Sequence, residues 1–143
     1  MTKVDFYSGI DDKLRLACKL SHKAMQNGVR VVLSTPDAHT HNALDKLLWH
    51  YPDTAFLPHC NSDAPEAGEM PVVLDQGSGV SPHHELLITL HDECPSFFSR
   101  FDRVIEIIGR GDDDKLKGRE RFKFYKDRGY ELGHFDLSDK KGT

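Results

Sequence analysis

Apolar side chains recur with two different periods at the start of the chain. Residues 4–7 alternate apolar with polar side chains and are rich in β-forming types, which predicts a short strand. From Leu14 to Met25, apolar or small residues fall at helical spacing, and Asn27 with Gly28 then ends the pattern. The chain therefore begins with a strand that is followed by an amphipathic helix.

The same succession follows once more. Residues 29–33 form a continuous run rich in β-branched side chains, as in a strand that is buried on both faces of a parallel sheet. The segment 34–37 supplies N-cap hydroxyls, a proline and an acid, which predicts a second helix that ends near Trp49. Two strand–helix pairs in the first half of the chain predict an α/β fold with right-handed crossovers.

The second half of the chain carries more strands than helices. Residues 50–71 are rich in proline and form a long connection, with one short extended piece expected at 55–57. Further strands are expected at 71–74, 85–90, 101–108 and 130–137. A third helix is expected at 112–128, since three acids suit its amino terminus, and residues 138–143 read as a flexible polar tail. We therefore expect a single α/β domain with a mainly parallel central sheet flanked by helices.

Composition narrows the class of protein. The 143 residues are 38% hydrophobic and 29% charged, which suits a folded globular domain rather than a disordered chain. Lys and Arg total 19 against 23 for Asp and Glu, so the net charge of −4 does not favour binding to nucleic acid. The sequence contains neither an apolar run that could span a bilayer nor a secretory signal, which predicts a cytoplasmic protein that does not bind membranes. The three cysteines are widely spaced, and we expect reduced thiols with Cys18 in the core.

Several polar segments are compatible with a function as a small nucleotide-binding or hydrolytic enzyme. Cys94 with His91 and Asp92 offers a nucleophile, a base and an acid, although residues so close in sequence rarely converge on one point. The segments 34–35 and 109–111 follow predicted strands at their carboxyl ends, where α/β folds bind ligands. Neither a phosphate-loop motif nor histidines at chelating spacing accompany them. This enzyme is therefore the alternative to a binding function.

The predicted third helix concentrates positive charge in an otherwise acidic chain. One narrow stripe of this helix contains Lys115, Arg119, Phe122 and Lys126. Leu116 and Phe124 project to a different side and are expected to face the sheet. Cations around an aromatic ring suit an acidic peptide or a terminal carboxylate with an apolar neighbour, and phosphate is the rival ligand. A plain solvated helix face is the remaining interpretation.

The single tryptophan, Trp49, stands at the end of the predicted second helix. A proline-containing segment with Tyr51 and Phe56 follows it directly. Aromatic residues gathered in this way are typical of interface hot spots, but packing in the core explains them equally well. The pattern leaves both interpretations open.

Taken in order, these segments resemble the chi subunit of bacterial DNA polymerase III, an accessory protein of the clamp loader. The resemblance covers nearly the whole chain. It rests on VDFY at 4–7, LDKLLW at 44–49, FLPH at 56–59, LLITL at 86–90 and RERFKFYK at 119–126, before Gly129 and Tyr130.

Resemblance to this family implies a three-layer Rossmann-like domain that has no catalytic activity and needs no cofactor or metal. It also implies a bridge between the psi subunit of the clamp loader and the acidic carboxyl-terminal tail of single-stranded DNA-binding protein, a role that requires no direct contact with DNA. The family positions that meet psi are Trp49, Pro52 and Phe56. The family positions that hold the tail are Lys115 and Arg119, with Ile108, Phe122 and Lys123 nearby.

Overall fold

The chain forms seven strands and three helices within residues 2–50, 57–79 and 81–138, which are the parts that the computed structural model describes. The strands are β1 (Lys3–Ile10), β2 (Val31–Ser34), β3 (His59–Asn61), β4 (Val72–Asp75), β5 (Leu86–Thr89), β6 (Arg103–Gly109) and β7 (Glu131–Asp136). The helices are α1 (Lys13–Gln26), α2 (Ala38–His50) and α3 (Asp112–Asp127). Short 3-10 turns lie at Ala67–Glu69 and Phe98–Arg100.

All seven strands pair in parallel and form one sheet in the order β3-β4-β2-β5-β6-β1-β7. All four residues of β2 are buried, and β2 lies between β4 and β5, as its β-branched run predicts. β1 lies between β6 and β7. The prediction of a mainly parallel sheet is confirmed.

The helices lie on the two faces of this sheet. Helices α1 and α2 pack against one face, where Leu16, Cys18 and Leu44 share an apolar cluster with Leu33. Helix α3 packs against the other face, where Tyr125 joins a second, largely aromatic cluster. The architecture is therefore the predicted three-layer α/β fold, with Cys18 fully buried as expected. Within the described residues, no helix has the length and apolar character needed to cross a bilayer.

Strand β3 is formed by residues that were not predicted to be extended. The long connection was expected to contain an extended piece at 55–57, of which residues 55 and 56 lie outside the described residues. The structure has a strand further along the connection, at His59–Asn61, paired with β4 from Val72 onward. Three residues without an apolar alternation carry too little local signal to predict a strand, so the pairing with β4 defines it.

The start of α2 and the orientation of α3 also differ from expectation. At α2 the Thr40 amide donates to the Asp37 carboxylate at 2.7 Å, so the expected hydroxyl cap is wrong and an acid takes its place. On α3, Leu116 was expected to face the sheet but is 54% exposed. The helix turns Gly118, Arg121 and Tyr125 towards the sheet instead. Phe124 is half-buried and packs edge-on against Phe98.

Candidate functional site

A cavity of about 430 Å³ lies between α3 and the part of the sheet formed by β6, β1 and β7. We call it the α3 cavity. Its lining comes from two sides, α3 above and the strands below. The lining residues are Phe6, Ser8, Gly9, Ile108, Lys115, Gly118, Arg119, Phe122, His134, Asp136 and Ser138. Its volume is within the range of pockets that hold small ligands or single side chains of a partner.

The floor of the α3 cavity is apolar. Phe6 of β1 and Phe122 of α3 meet edge to face, with ring centroids 5.2 Å apart. Ile108 of β6 adds an aliphatic side chain that is largely buried. Gly118 lies directly over Ile108, since an added Cβ there would overlap the Ile108 side chain. The floor can therefore receive an aromatic or aliphatic side chain away from water.

The rim of the α3 cavity carries two available cations. Lys115 and Arg119 lie one helical turn apart, and both are exposed. Among the described residues, no carboxylate forms an ion pair with either of them. Lys117 differs, because Asp92 and Asp113 pair with it at 3.2 and 3.3 Å. Charge is therefore available for an anionic ligand at this rim and not elsewhere on the first turns of α3.

The opposite wall is held in place by bonds between distant parts of the chain. His134 of β7 bonds to the Ser8 hydroxyl at 2.8 Å. Arg110 donates from Nε to the Gly9 carbonyl at 3.0 Å and from a terminal nitrogen to the Ser138 carbonyl at 2.8 Å. Asp136 also lines this wall, and a hydrogen bond from the Ser138 amide lowers the pKa of its carboxyl. The wall is therefore polar and fixed, in contrast to the apolar floor.

A buried ion pair connects α3 to strand β6. Arg121 Nε donates to Glu106 Oε1 at 2.9 Å, and the Tyr125 hydroxyl donates to Glu106 Oε2 at 2.7 Å. Arg121 also donates to the Asp92 carbonyl at 2.9 Å. Arg121 is one of the cations of this positively charged helix, but it is only 3% exposed. It therefore fixes the rotation of α3 about its axis and is not available to a ligand.

Four of the five residues expected at the tail site line the α3 cavity. These four are Ile108, Lys115, Arg119 and Phe122. The fifth, Lys123, is an exposed residue of α3 that is not part of the lining. Sequence reasoning missed the contributions of β1 and β7 and the role of Gly118. No local pattern marks them, because they meet α3 only through the order of the strands.

Trp49 lies on the opposite layer, near the end of α2, and is 53% exposed. Its ring meets the His59 ring edge-on at 5.1 Å. His59 in turn bonds to the Asp45 carboxylate at 2.9 Å and to the Leu57 carbonyl at 2.7 Å. Trp49 is thus about half exposed to solvent and packs on a histidine that two hydrogen bonds hold in place. This exposure favours an interface role for Trp49 over a core role. Pro52 and Phe56, expected beside it, lie outside the described residues.

The residues considered for an enzyme, Cys94, His91 and Asp92, are buried or bonded to other residues. Burial raises the pKa of the Cys94 thiol to about 11, whereas a nucleophilic cysteine needs a lowered pKa. His91 bonds to the Ser34 hydroxyl at 2.7 Å, and burial lowers its pKa. Asp92 pairs with Lys117. Within the described parts of the chain, no group of three potential metal ligands comes together.

Comparison with known proteins gives one consistent result. A sequence model of the family "DNA polymerase III chi subunit, HolC" matches residues 1–133. The DNA polymerase III subunit chi of Pseudomonas aeruginosa PAO1 is 38% identical over 136 residues, which covers 92% of this chain and 94% of the relative. The subunit of the same name from Escherichia coli K12 is 27% identical over 132 residues, covering 92% and 88%. That of Haemophilus influenzae Rd is 28% identical over 120 residues, covering 82% of each.

The family match spans the elements that build the α3 cavity, from β1 through α3 to the first residues of β7. It also spans Trp49 and the helix that carries it. The resemblance seen in short sequence segments is therefore confirmed over most of the length of the chain. The chain belongs to the DNA polymerase III chi subunit family, a family of replication accessory subunits.

Proposed function

We propose that this accessory subunit is a non-catalytic bridge between two replication proteins. It holds the acidic carboxyl-terminal tail of single-stranded DNA-binding protein in the α3 cavity and binds the psi subunit of the clamp loader around Trp49. The observation that carries the proposal is the composition of the α3 cavity, in which two available cations stand at the rim of an apolar floor. A ligand with a carboxylate next to an aromatic ring matches both parts.

Membership of the family implies a ligand with this chemistry, because the tails of single-stranded DNA-binding protein that such subunits bind are acidic and end in Pro-Phe. Arg119 binds the terminal carboxylate through two parallel N–H bonds, and Lys115 adds a point charge beside it. The terminal ring enters the floor formed by Phe6, Ile108 and Phe122. Charged contacts thus recognise the carboxylate of the terminal phenylalanine, and apolar contacts recognise its ring.

The psi subunit binds on the other layer of the fold. Trp49 belongs to α2, whereas the α3 cavity lies across the sheet from that helix. Binding at one surface leaves the other accessible, so both partners can be held at once. Their simultaneous binding raises the effective concentration of the clamp loader at template coated with single-stranded DNA-binding protein. This role requires no contact between the chain and DNA.

Titration with a fluorescent peptide that copies the tail tests the site. We expect Arg119→Ala and Lys115→Ala to weaken binding, with the larger loss for Arg119→Ala. Lys19→Ala is the matched control, because Lys19 is an exposed cation of α1 on the opposite layer. Its affinity should equal that of the unchanged protein.

The salt dependence of the same titration gives a second readout. Because charge at the rim contributes to the affinity, binding should weaken as ionic strength rises, and this slope should be smaller in Arg119→Ala. Binding of psi, which rests on aromatic contacts, should depend on salt much less. If the folded protein fails to bind the peptide at low salt, the proposed tail site is wrong.

A further inference from the structure

Strand β7 forms an edge of the sheet next to the α3 cavity, and its main-chain groups alternate in direction. The Leu137 amide donates to the Ser8 carbonyl of β1 at 2.9 Å. Because N–H and C=O groups alternate sides along a strand, Gly133 and Phe135 also face β1. Leu132, His134 and Asp136 therefore direct their main-chain donors and acceptors away from the sheet. Among the described residues, no strand pairs with this outer side of β7.

The outer side of β7 is continuous with the α3 cavity. The side chains of His134 and Asp136 line the cavity, while the main-chain groups of the same two residues lie on the outer edge. A peptide that leaves the cavity past β7 comes within reach of these donors and acceptors. Such an edge is a template for one additional strand.

The charges along α3 indicate the direction of that strand. Helix α3 runs antiparallel to the strands, so Lys115 and Arg119 lie near Ser138, at the carboxyl end of β7. Lys126 continues the same stripe two turns later, is exposed, and lies towards the amino end of β7. A peptide whose terminal carboxylate sits at Arg119 has its upstream acids beside Lys126 when it runs parallel to β7.

We propose that the acidic tail bound in the α3 cavity continues upstream as an eighth, parallel strand on the outer edge of β7. This inference rests on the proposed function, since it concerns the same ligand. The terminal residue supplies specificity through the cavity, and the upstream residues add main-chain hydrogen bonds that do not depend on their side chains. The sheet is thereby extended by the partner.

Hydrogen exchange measured by NMR on the full chain tests the geometry. In the free protein the amides of Leu132, His134 and Asp136 should exchange quickly, whereas those of Gly133 and Phe135 should be protected by β1. Addition of the tail peptide should slow exchange at the first three alone. Protection of these amides before peptide is added would mean that other residues of the chain already cover the edge. Protection that grows with protein concentration would mean that a second copy covers it. Either result overturns the inference.

Methylation of the peptide backbone gives an independent test. A methyl group is placed in turn on the nitrogen of each residue upstream of the terminal Pro-Phe. An added strand donates to β7 from every second residue, so alternate positions should weaken binding about tenfold and the positions between them should not. Equal affinities along the series, with normal binding of the unmodified peptide, would contradict the added strand but not the proposed function. Failure of the unmodified peptide to bind would contradict both the added strand and the proposed function.

Lys126→Ala tests the direction of the strand. It should weaken a peptide that includes the upstream acids and leave the affinity of a peptide truncated to its last three residues unchanged. Lys19→Ala again serves as the control and should alter neither affinity. An equal effect of Lys126→Ala on the long and the truncated peptide would contradict the parallel course along β7.

Discussion

Gly118 of α3 lies so close to Ile108 of β6 that a Cβ at position 118 would overlap the Ile108 side chain. The Cγ1 atom of Ile108 would be 2.8 Å from the added carbon and Cγ2 3.2 Å from it. Glycine inside a helix normally costs about 1 kcal/mol relative to alanine. Here it lets the helix approach the sheet closely, and the same contact forms part of the cavity floor.

Gly118→Ala should therefore destabilise the protein in spite of its better helix propensity. Overpacking against a β-branched neighbour costs about 1–3 kcal/mol, which over most of this range exceeds the gain of about 1 kcal/mol from alanine. Urea denaturation should show a lower free energy of unfolding, and the tail peptide should bind more weakly because the floor shifts. Gly68→Ala is the control, since an added Cβ there meets nothing within 4 Å. A more stable Gly118→Ala would contradict the role assigned to this contact.

The buried Glu106 carboxyl should make stability depend on pH. Burial raises its pKa from about 4.5 to about 7, against the opposing effects of Arg121 and Tyr125. Because the folded-state pKa is above the unfolded value, the folded state binds the proton more tightly. This contribution to stability is complete below about pH 4.5 and is lost as the pH rises to about 7.

Glu106→Gln isolates this effect, because it keeps the shape of the side chain and removes the titration. Relative to the Gln variant, the unchanged protein should lose stability between pH 4.5 and 7 in urea denaturation. Free energies of unfolding that stay parallel across this range would show that Glu106 titrates as it does in the unfolded chain.

Cys94 should behave as an inert thiol. Burial raises its pKa from 9.0 to about 11, so its thiolate population near neutral pH falls about 100-fold. We expect alkylation of Cys94 in the folded protein to be slower than in urea by at least that factor, as followed by mass spectrometry. Cys94→Ala should bind the tail peptide normally. Rapid alkylation of the folded protein would revive Cys94 as a candidate nucleophile.

Trp49 should report on psi alone. The chain has a single tryptophan, so incorporation of 5-fluorotryptophan gives one fluorine resonance. That resonance should move when psi is added and stay unchanged when the tail peptide is added, because the α3 cavity lies on the other layer. Trp49→Ala should abolish psi binding while leaving the protein folded, since about half of the Trp49 residue is already exposed. A shift caused by the tail peptide would contradict the separation of the two surfaces.

Sequence patterns predicted the elements whose signal is local. The β-branched run of β2 and the small and apolar stripe of α1 each specify their own burial. Strand β3 could not be predicted in this way, since its three residues become a strand only through pairing with β4. The same limit applies to the wall of the α3 cavity, where Ser8 and His134 are 126 positions apart.

Charge on α3 was harder to interpret than apolarity on α1. Arg119 and Arg121 are two residues apart and look alike in the sequence, yet one is exposed and the other is buried against Glu106. Leu116 was expected in the core because it is apolar, but the close contact of Gly118 with β6 turns another face of the helix inward. A cation of α3 is unavailable to a ligand when a residue of the sheet, such as Glu106, pairs with it. The spacing of residues along the helix carries no information about that residue of the sheet.

The position of β1 in the sheet has a consequence for synthesis of the chain. Both of its neighbours, β6 and β7, come from the last third of the sequence, from Arg103 onward. When β1 leaves the ribosome it therefore has no partner strand, and its buried residue Phe6 lacks its ring contacts with Phe122 and Tyr125 until α3 has been translated. A chain with such long-range pairing folds late and slowly. The nascent amino-terminal half, with an unpaired strand and exposed apolar residues, is the stage at which it is most prone to aggregate.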